Sequence, residues 1–144
     1  MPTRPISELI FNQKLSVATP TSTVSEACAL MKANNVGAIP VVDKGQLCGI
    51  FTERDAVYRV LASDLEPHAT RLEQVMTHAP QTITPDRPFG HALHLMYEGG
   101  FRHVPVVYGG KLVGMVSARD ALGAEFAQFQ SDVEEREHIA EILG

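Results

Sequence analysis

Gly49-Ile50-Phe51-Thr52-Glu53-Arg54-Asp55 is written twice in this chain: 65 residues on it returns as Gly114-Met115-Val116-Ser117-Ala118-Arg119-Asp120. Each copy reads as an apolar strand tip, a hydroxyl residue, two further residues, and a carboxylate that opens an amphipathic run. A strand that hands over to a helix in this way aims the helix's free N–H groups, and its positive end, at whatever lies beyond the strand. An anion or a sugar phosphate fits such a place. Two such places are expected.

Working outward at the same spacing, residues 17–57 lie on 82–122 without a gap. Thr19-Pro20 falls on Thr84-Pro85, Leu30-Met31 on Leu95-Met96, and Pro40-Val41-Val42 on Pro105-Val106-Val107. Gly45, Leu47 and Gly49 fall on Gly110, Leu112 and Gly114. Upstream, Ile6 to Ile10 resembles Leu72 to Met76 with a one-residue slip. Two copies of this length indicate a duplicated unit rather than a solenoid.

In copy one, Ser16-Val17-Ala18 reads as a short extended segment closed by Thr19-Pro20. Thr23-Val24-Ser25-Glu26 is a capping box, and Val24, Ala27, Cys28 and Met31 recur at the spacing of one buried helix face. Asn34-Asn35 and Gly37 stop that helix. Ala38–Val42 and Gln46–Phe51 form a hairpin through Asp43-Lys44-Gly45, and their near-continuous apolar character predicts strands covered on both faces. A second helix is expected from Thr52, burying Ala56, Val57, Val60 and Leu61. Polar residues 63–70, with Pro67, suit a linker.

Copy two repeats the order: Thr82-Ile83 extended, then a helix with Pro88 in its first turn and Phe89, Ala92, Leu93 and Met96 buried. Gly99-Gly100 ends that helix, a hairpin turns at Gly109-Gly110, and a second helix is expected from Ser117. The tail has no counterpart in copy one. Phe126 and Phe129 are apolar anchors, and Ser131-Asp132-Val133-Glu134 is expected to cap a last helix burying Ile139, Ile142 and Leu143.

The bulk numbers exclude more than they identify. With 12 Lys and Arg against 17 Asp and Glu, the net charge of −5 argues against a nucleic-acid backbone binder. No apolar stretch approaches a membrane span, and Met1 to Pro5 lacks the apolar core of a signal peptide, so a cytoplasmic location is expected. Cys28 and Cys48 form no ligand pair and read as buried thiols. His91 and His94 are spaced i, i+3 with no third ligand in sight, so no metal site is expected. There is no nucleophile–base constellation and no phosphate-binding P-loop, so the chain does not read as an enzyme.

The order of elements, with h-P-V-V before each hairpin and G-h-h-[TS]-x-x-D after it, resembles the tandem cystathionine-β-synthase (CBS) domain pair, or Bateman module. The resemblance implies an α/β (α+β) fold: two β-α-β-β-α repeats packed with pseudo-two-fold symmetry, plus a C-terminal helix. It divides the chain into repeat one at 6–62, a linker at 63–71, repeat two at 72–123 and a helical tail at 124–144. It implies two inter-repeat clefts that take adenosine-containing ligands (AMP, ADP, ATP, S-adenosylmethionine or NAD), a regulatory role, a homodimer and an unknown client protein.

Carried onto this sequence, Asp55 and Asp120 accept ribose hydroxyls, while Thr52 and Ser117 face the phosphate. A phosphate also wants a cation, and here the copies differ: Arg102-His103 in copy two stands where copy one has Gly37-Ala38. Arg102 and His103 are therefore phosphate candidates, and the asymmetry predicts unequal clefts. Arg54 and Arg119 lie in a first helical turn, where a nearby anion would offset the unfavourable helix dipole. The implied adenine walls are Val17, Ala18, Ile39, Pro40, Thr82, Ile83, Val104 and Pro105. Each of these readings has a plainer counterpart in a helix cap, a solvated charge or a core side chain. A ligand-free dimerisation or protein-interaction module is the alternative function.

Overall fold

The computed structural model describes residues 4–143. Thr23 and Glu26 form the expected capping box at the start of α2 (Val24–Asn34), which buries Val24, Ala27 and Met31. Asn35, at φ 52°, closes it in the left-handed conformation, as a short polar side chain tolerates. The pairing of β1 (Ala38–Asp43) with β2 (Gln46–Thr52) is antiparallel. Lys44 and Gly45 both have positive φ, the tight turn that matches strand twist. In copy two, α5 (Phe89–Gly99) buries Phe89, Ala92, Leu93 and Met96 and ends at Gly100, φ 72°. There β4 (His103–Tyr108) pairs with β5 (Lys111–Ser117) around Gly109-Gly110, likewise at positive φ. Both hairpins carry a bulge at the same place, opposite Val41/Val42 and opposite Val106/Val107.

The expected extended segments shrink to single parallel bridges, Ala18 to Val41 and Ile83 to Val106. Ala18 donates to the Pro40 carbonyl and accepts from Val42; Ile83 does the same with Pro105 and Val107. The next donor along the ladder would be Pro20 or Pro85, and neither has an N–H. A strand absent from the sequence reading is β3 (Thr77–His78), which pairs with β2 beside Gly49.

The first helices are exchanged. Short α1 (Ile6–Ile10) packs into the core of the second half: Ile6 is fully buried among Ile83, Phe89, Leu93, Val104 and Val116. In return α4 (Leu72–Val75) completes the first half, with Leu72 and Val75 buried among Val24, Met31, Ile39 and Phe51. Backbone bonds repeat the swap. Ile6 donates to Arg87 O and Phe89 to Arg4 O, while Leu72 donates to Ser22 O and Val24 to Thr70 O. Pro88 accordingly sits just outside α5, at its cap, rather than in its first turn. Between the sheets, Ala38, Ile50 and Met115 pack with Leu15 and join the halves.

The second helices differ from expectation. After one α-turn, α3 (Glu53–Asp55), the chain continues as a π-helix, Ala56–Leu61. The wider winding shifts the phase of the apolar face. Val60 stays buried and Ala56 packs on the core, but Val57 and Leu61 are 49% and 63% exposed. From Ser117 only a 3₁₀ turn forms, Ala118–Asp120, before the backbone extends at Ala121.

One unbroken helix, α6 (Gly123–Leu143), then runs through Ser131, so the expected cap there is an ordinary mid-helix stretch. Phe129 packs on the second core and edge-on against His94 and Tyr97 of α5, and Arg136 pairs with Glu98. Ile139 and Ile142 are exposed rather than buried; the α5 residues His94, Tyr97 and Glu98 meet Phe129, Asp132, Arg136 and Glu137 of α6 instead. The Leu143 side chain lies outside the described residues. Cys28 and Cys48 are free thiols, part-buried against the first core.

Candidate functional site

The strand-to-helix turns of both copies open on one continuous cleft of 1090 Å³ between the halves, where two were expected. Thr52 and Asp55 line it from the first half, and Ser117 and Ala118 from the second. Ile50, Pro80 and Phe101 supply apolar wall. Four guanidinium-bearing residues, Arg54, Arg59, Arg102 and Arg119, line the same cleft against the acids Glu53 and Asp55. An acidic protein thus concentrates positive charge in one concavity, which favours anion entry.

Local geometry shows what the repeated motif does first. The Asp55 N–H donates to Thr52 Oγ1 at 3.2 Å, and the Thr52 N–H donates to Asp55 Oδ2 at 3.0 Å. Asp55 is buried, and Arg59 Nε stands 3.4 Å from its Oδ1. Arg59 Nη1 also donates to the carbonyls of Val75 and Met76, tying the exchanged α4 to the turn. In the second half the Ser117 N–H donates to Asp120 Oδ2 at 2.7 Å. Asp120 is exposed and outside the cleft lining, and its carbonyl accepts from Arg4. Both carboxylates are therefore caps; Asp55 also lies at the cleft, and Asp120 stands beside the contact between the N-terminal segment and α6.

His103 and Arg102 line the cleft. Burial pushes the His103 imidazole below the usual histidine value. Glu53 and Asp120 draw it back up, while Arg102 and Arg119 push it further down. Arg54 lies over the Tyr58 ring at 5.5 Å, a local partner for its charge.

The expected adenine walls lie elsewhere. Ile39, Pro40 and Val104 are fully buried core residues, and Ala18, Ile83 and Pro105 are buried too. Val17 and Thr82 are exposed, and none of the eight lines the cleft. The alternation that points residues 39 and 104 inward is set by the hairpins, which place the h-P-V-V runs under the helices.

Sequence reasoning missed Glu53, Arg59 and the segments Thr77 to Gln81 and Gly99 to Phe101. Asp55 and Arg59 at i, i+4 was the one legible signal. The two loop segments reach the cleft only because the halves meet.

His91 is exposed, and His94 faces Asp132 at 3.5 Å with Phe129 against its ring. No cluster of three metal-ligating side chains occurs among the described residues, and no helix of the described residues is long and apolar enough to cross a membrane.

A duplicated α/β unit with exchanged first helices and a cleft between its halves is a defined class of module. The family model of the CBS domain matches residues 6–62 and 72–126, and the chain belongs to that family as a tandem pair. It is 31% identical over 95% of its length to the CBS domain-containing protein CBSCBSPB1 of Arabidopsis thaliana. The chain spans 25% of that relative's length.

Among solved structures, a protein with CBS domains from Burkholderia ambifaria MC40-6 superposes with a TM-score of 0.77. Its identity is 31%, over 81% of this chain and 90% of that one. The CBS domain protein PAE2072 from Pyrobaculum aerophilum, complexed with AMP, superposes with a TM-score of 0.75 at 24% identity, over 89% of this chain and 99% of that one.

Proposed function

We propose that this chain is a non-catalytic regulatory module whose inter-repeat cleft takes an adenosine-containing ligand and passes its occupancy to a homodimer partner or a client protein. The observation that carries this is the convergence of both turns and four arginines on one cleft in a protein of net charge −5. The relative from Pyrobaculum aerophilum complexed with AMP supports the ligand class. The phosphate lies toward Arg102, His103 and Arg119, with Thr52 and Ser117 as hydroxyl partners. Asp55 takes the ribose hydroxyls with the lone pairs left by its capping bond. The base rests on Ile50, Pro80 and Phe101, the apolar groups that line the cleft.

A thermal-shift series with AMP, ADP, ATP, S-adenosylmethionine and NAD tests this. A ligand at a hundred times its dissociation constant adds about 2.7 kcal/mol of stability. No shift from any of the five removes the assignment.

One observation favours the alternative, a ligand-free dimerisation or interaction module. Val57, Tyr58, Leu61 and Leu65, on and just after the π-helix, are all exposed apolar groups. Concentration-dependent sedimentation that Leu61→Asp abolishes, with all five ligands silent, establishes that role instead.

A further inference from the structure

We propose that Glu53 is the cleft's own counter-anion: it faces His103 across the inter-repeat boundary, and a phosphate-bearing ligand must displace it. The inference rests on the nucleotide reading of the cleft and deepens it to a specificity device. Three observations place Glu53 there.

Its N–H donates to Gly37 O at 3.0 Å, which seats the residue directly against Gly37. A Cβ at Gly37 would lie 2.5 Å from Glu53 Oε1 and 3.5 Å from His103 Cε1, so carboxylate and imidazole flank the same point. The missing side chain is what lets the carboxylate fold over. Glu53 is moreover exposed on the cleft wall, with no ion pair to Lys or Arg among the described residues, so it is free to swing away.

The second half breaks the symmetry at these same positions. The Ala118 N–H donates to Arg102 O at 3.0 Å, the equivalent of the Glu53 to Gly37 bond. Where the first half has Gly37, Ala38 and Glu53, the second has Arg102, His103 and Ala118. One half therefore carries the acid and the other the bases, along a single cleft.

The groups facing His103 are Glu53 from the first half and Arg102, Arg119 and Asp120 from its own. Of these Glu53 is the strongest influence after burial itself, drawing the imidazole toward protonation. A phosphate arriving at Arg102 and His103 meets Glu53 as a like charge, and once Glu53 is displaced it takes over as the anion that favours imidazolium. Binding of a phosphate is then opposed by Glu53, while binding of the uncharged nucleoside is not.

Calorimetry of AMP and adenosine against the full chain and Glu53→Gln tests this, alongside an NMR titration of the His103 ring. The expected result is AMP binding about two- to fivefold tighter in E53Q, the range of one exposed charge. Adenosine affinity should be unchanged, and His103 should protonate at lower pH in the variant. Equal AMP affinity in the two chains, with adenosine still bound, overturns the role of Glu53 alone. Weaker AMP binding in E53Q also overturns it, making Glu53 a ligand contact. If neither chain binds AMP, the nucleotide reading of the cleft fails and this inference fails with it.

Discussion

Gly114→Ala should destabilise the protein through a residue 104 positions away in sequence, because Gly114 is where exchanged α1 lies on β5. A Cβ there would stand 2.5 Å from Ile10 Cγ2, 2.8 Å from Ile10 Cβ and 3.0 Å from Gln13 Oε1. Gln13 is itself pinned, donating to Met115 O at 2.8 Å and accepting from Met115 N at 3.0 Å. An unobstructed strand glycine replaced by alanine gains about 0.5–1 kcal/mol. Overpacking a fitted contact costs about 1–3 kcal/mol. The clash wins, for a net loss of about 1–2 kcal/mol, or roughly 2–8 °C in Tm for a domain of this size.

Urea denaturation followed by circular dichroism measures the loss, and limited proteolysis reports whether residues 4–13 come free. Ile10→Ala removes the nearest clashing atom and leaves Ile10 Cβ in place, so relief is partial. In the double variant the two costs should fall short of adding by at least about 0.5 kcal/mol. A stabilised G114A chain, or strictly additive costs, would refute α1 docking on this strand.

Three further outcomes follow from the same geometry. Asp55→Ala removes the carboxylate that accepts from the Thr52 N–H and leaves Arg59 without its ion-pair partner, while Thr52 Oγ1 still caps the residue 55 N–H; stability should fall by about 1–2 kcal/mol, with weaker AMP binding in calorimetry. Arg102→Ala should weaken AMP about tenfold or more while leaving adenosine affinity and Tm unchanged, and equal losses for both ligands would move the phosphate elsewhere.

The third concerns Glu125, which is buried against Arg4 at 2.7 Å and accepts from the Leu122 N–H; that pairing holds its carboxyl below the usual range. A depressed carboxyl stabilises above its unfolded value and loses that contribution as pH falls through its folded one. Acid melts of wild type should therefore drop below about pH 4.3, and Glu125→Gln should flatten that drop.

The duplication, both hairpins, the α2 capping box and the buried faces of α2 and α5 were all legible in the sequence, because each rests on residues close together in the chain. Apolar spacing, turn glycines and a hydroxyl three residues before a carboxylate act locally. The candidate site was legible in part: Thr52, Asp55, Arg102, His103 and Ser117 do share a cleft. The eight expected adenine walls do not, since repeat similarity cannot tell a core strand residue from a cleft residue.

Only the tertiary structure decided which half each first helix completes. Ile6 to Ile10 and Leu72 to Met76 resemble each other, so either arrangement satisfies the pattern; the close approaches at Gly114 and Gly49 accept the partner's segment. The folding of Glu53 over Gly37 toward His103 likewise arises where the two halves meet. Contacts across that boundary depend on three-dimensional fit between residues far apart in the chain, which no periodicity along the chain encodes.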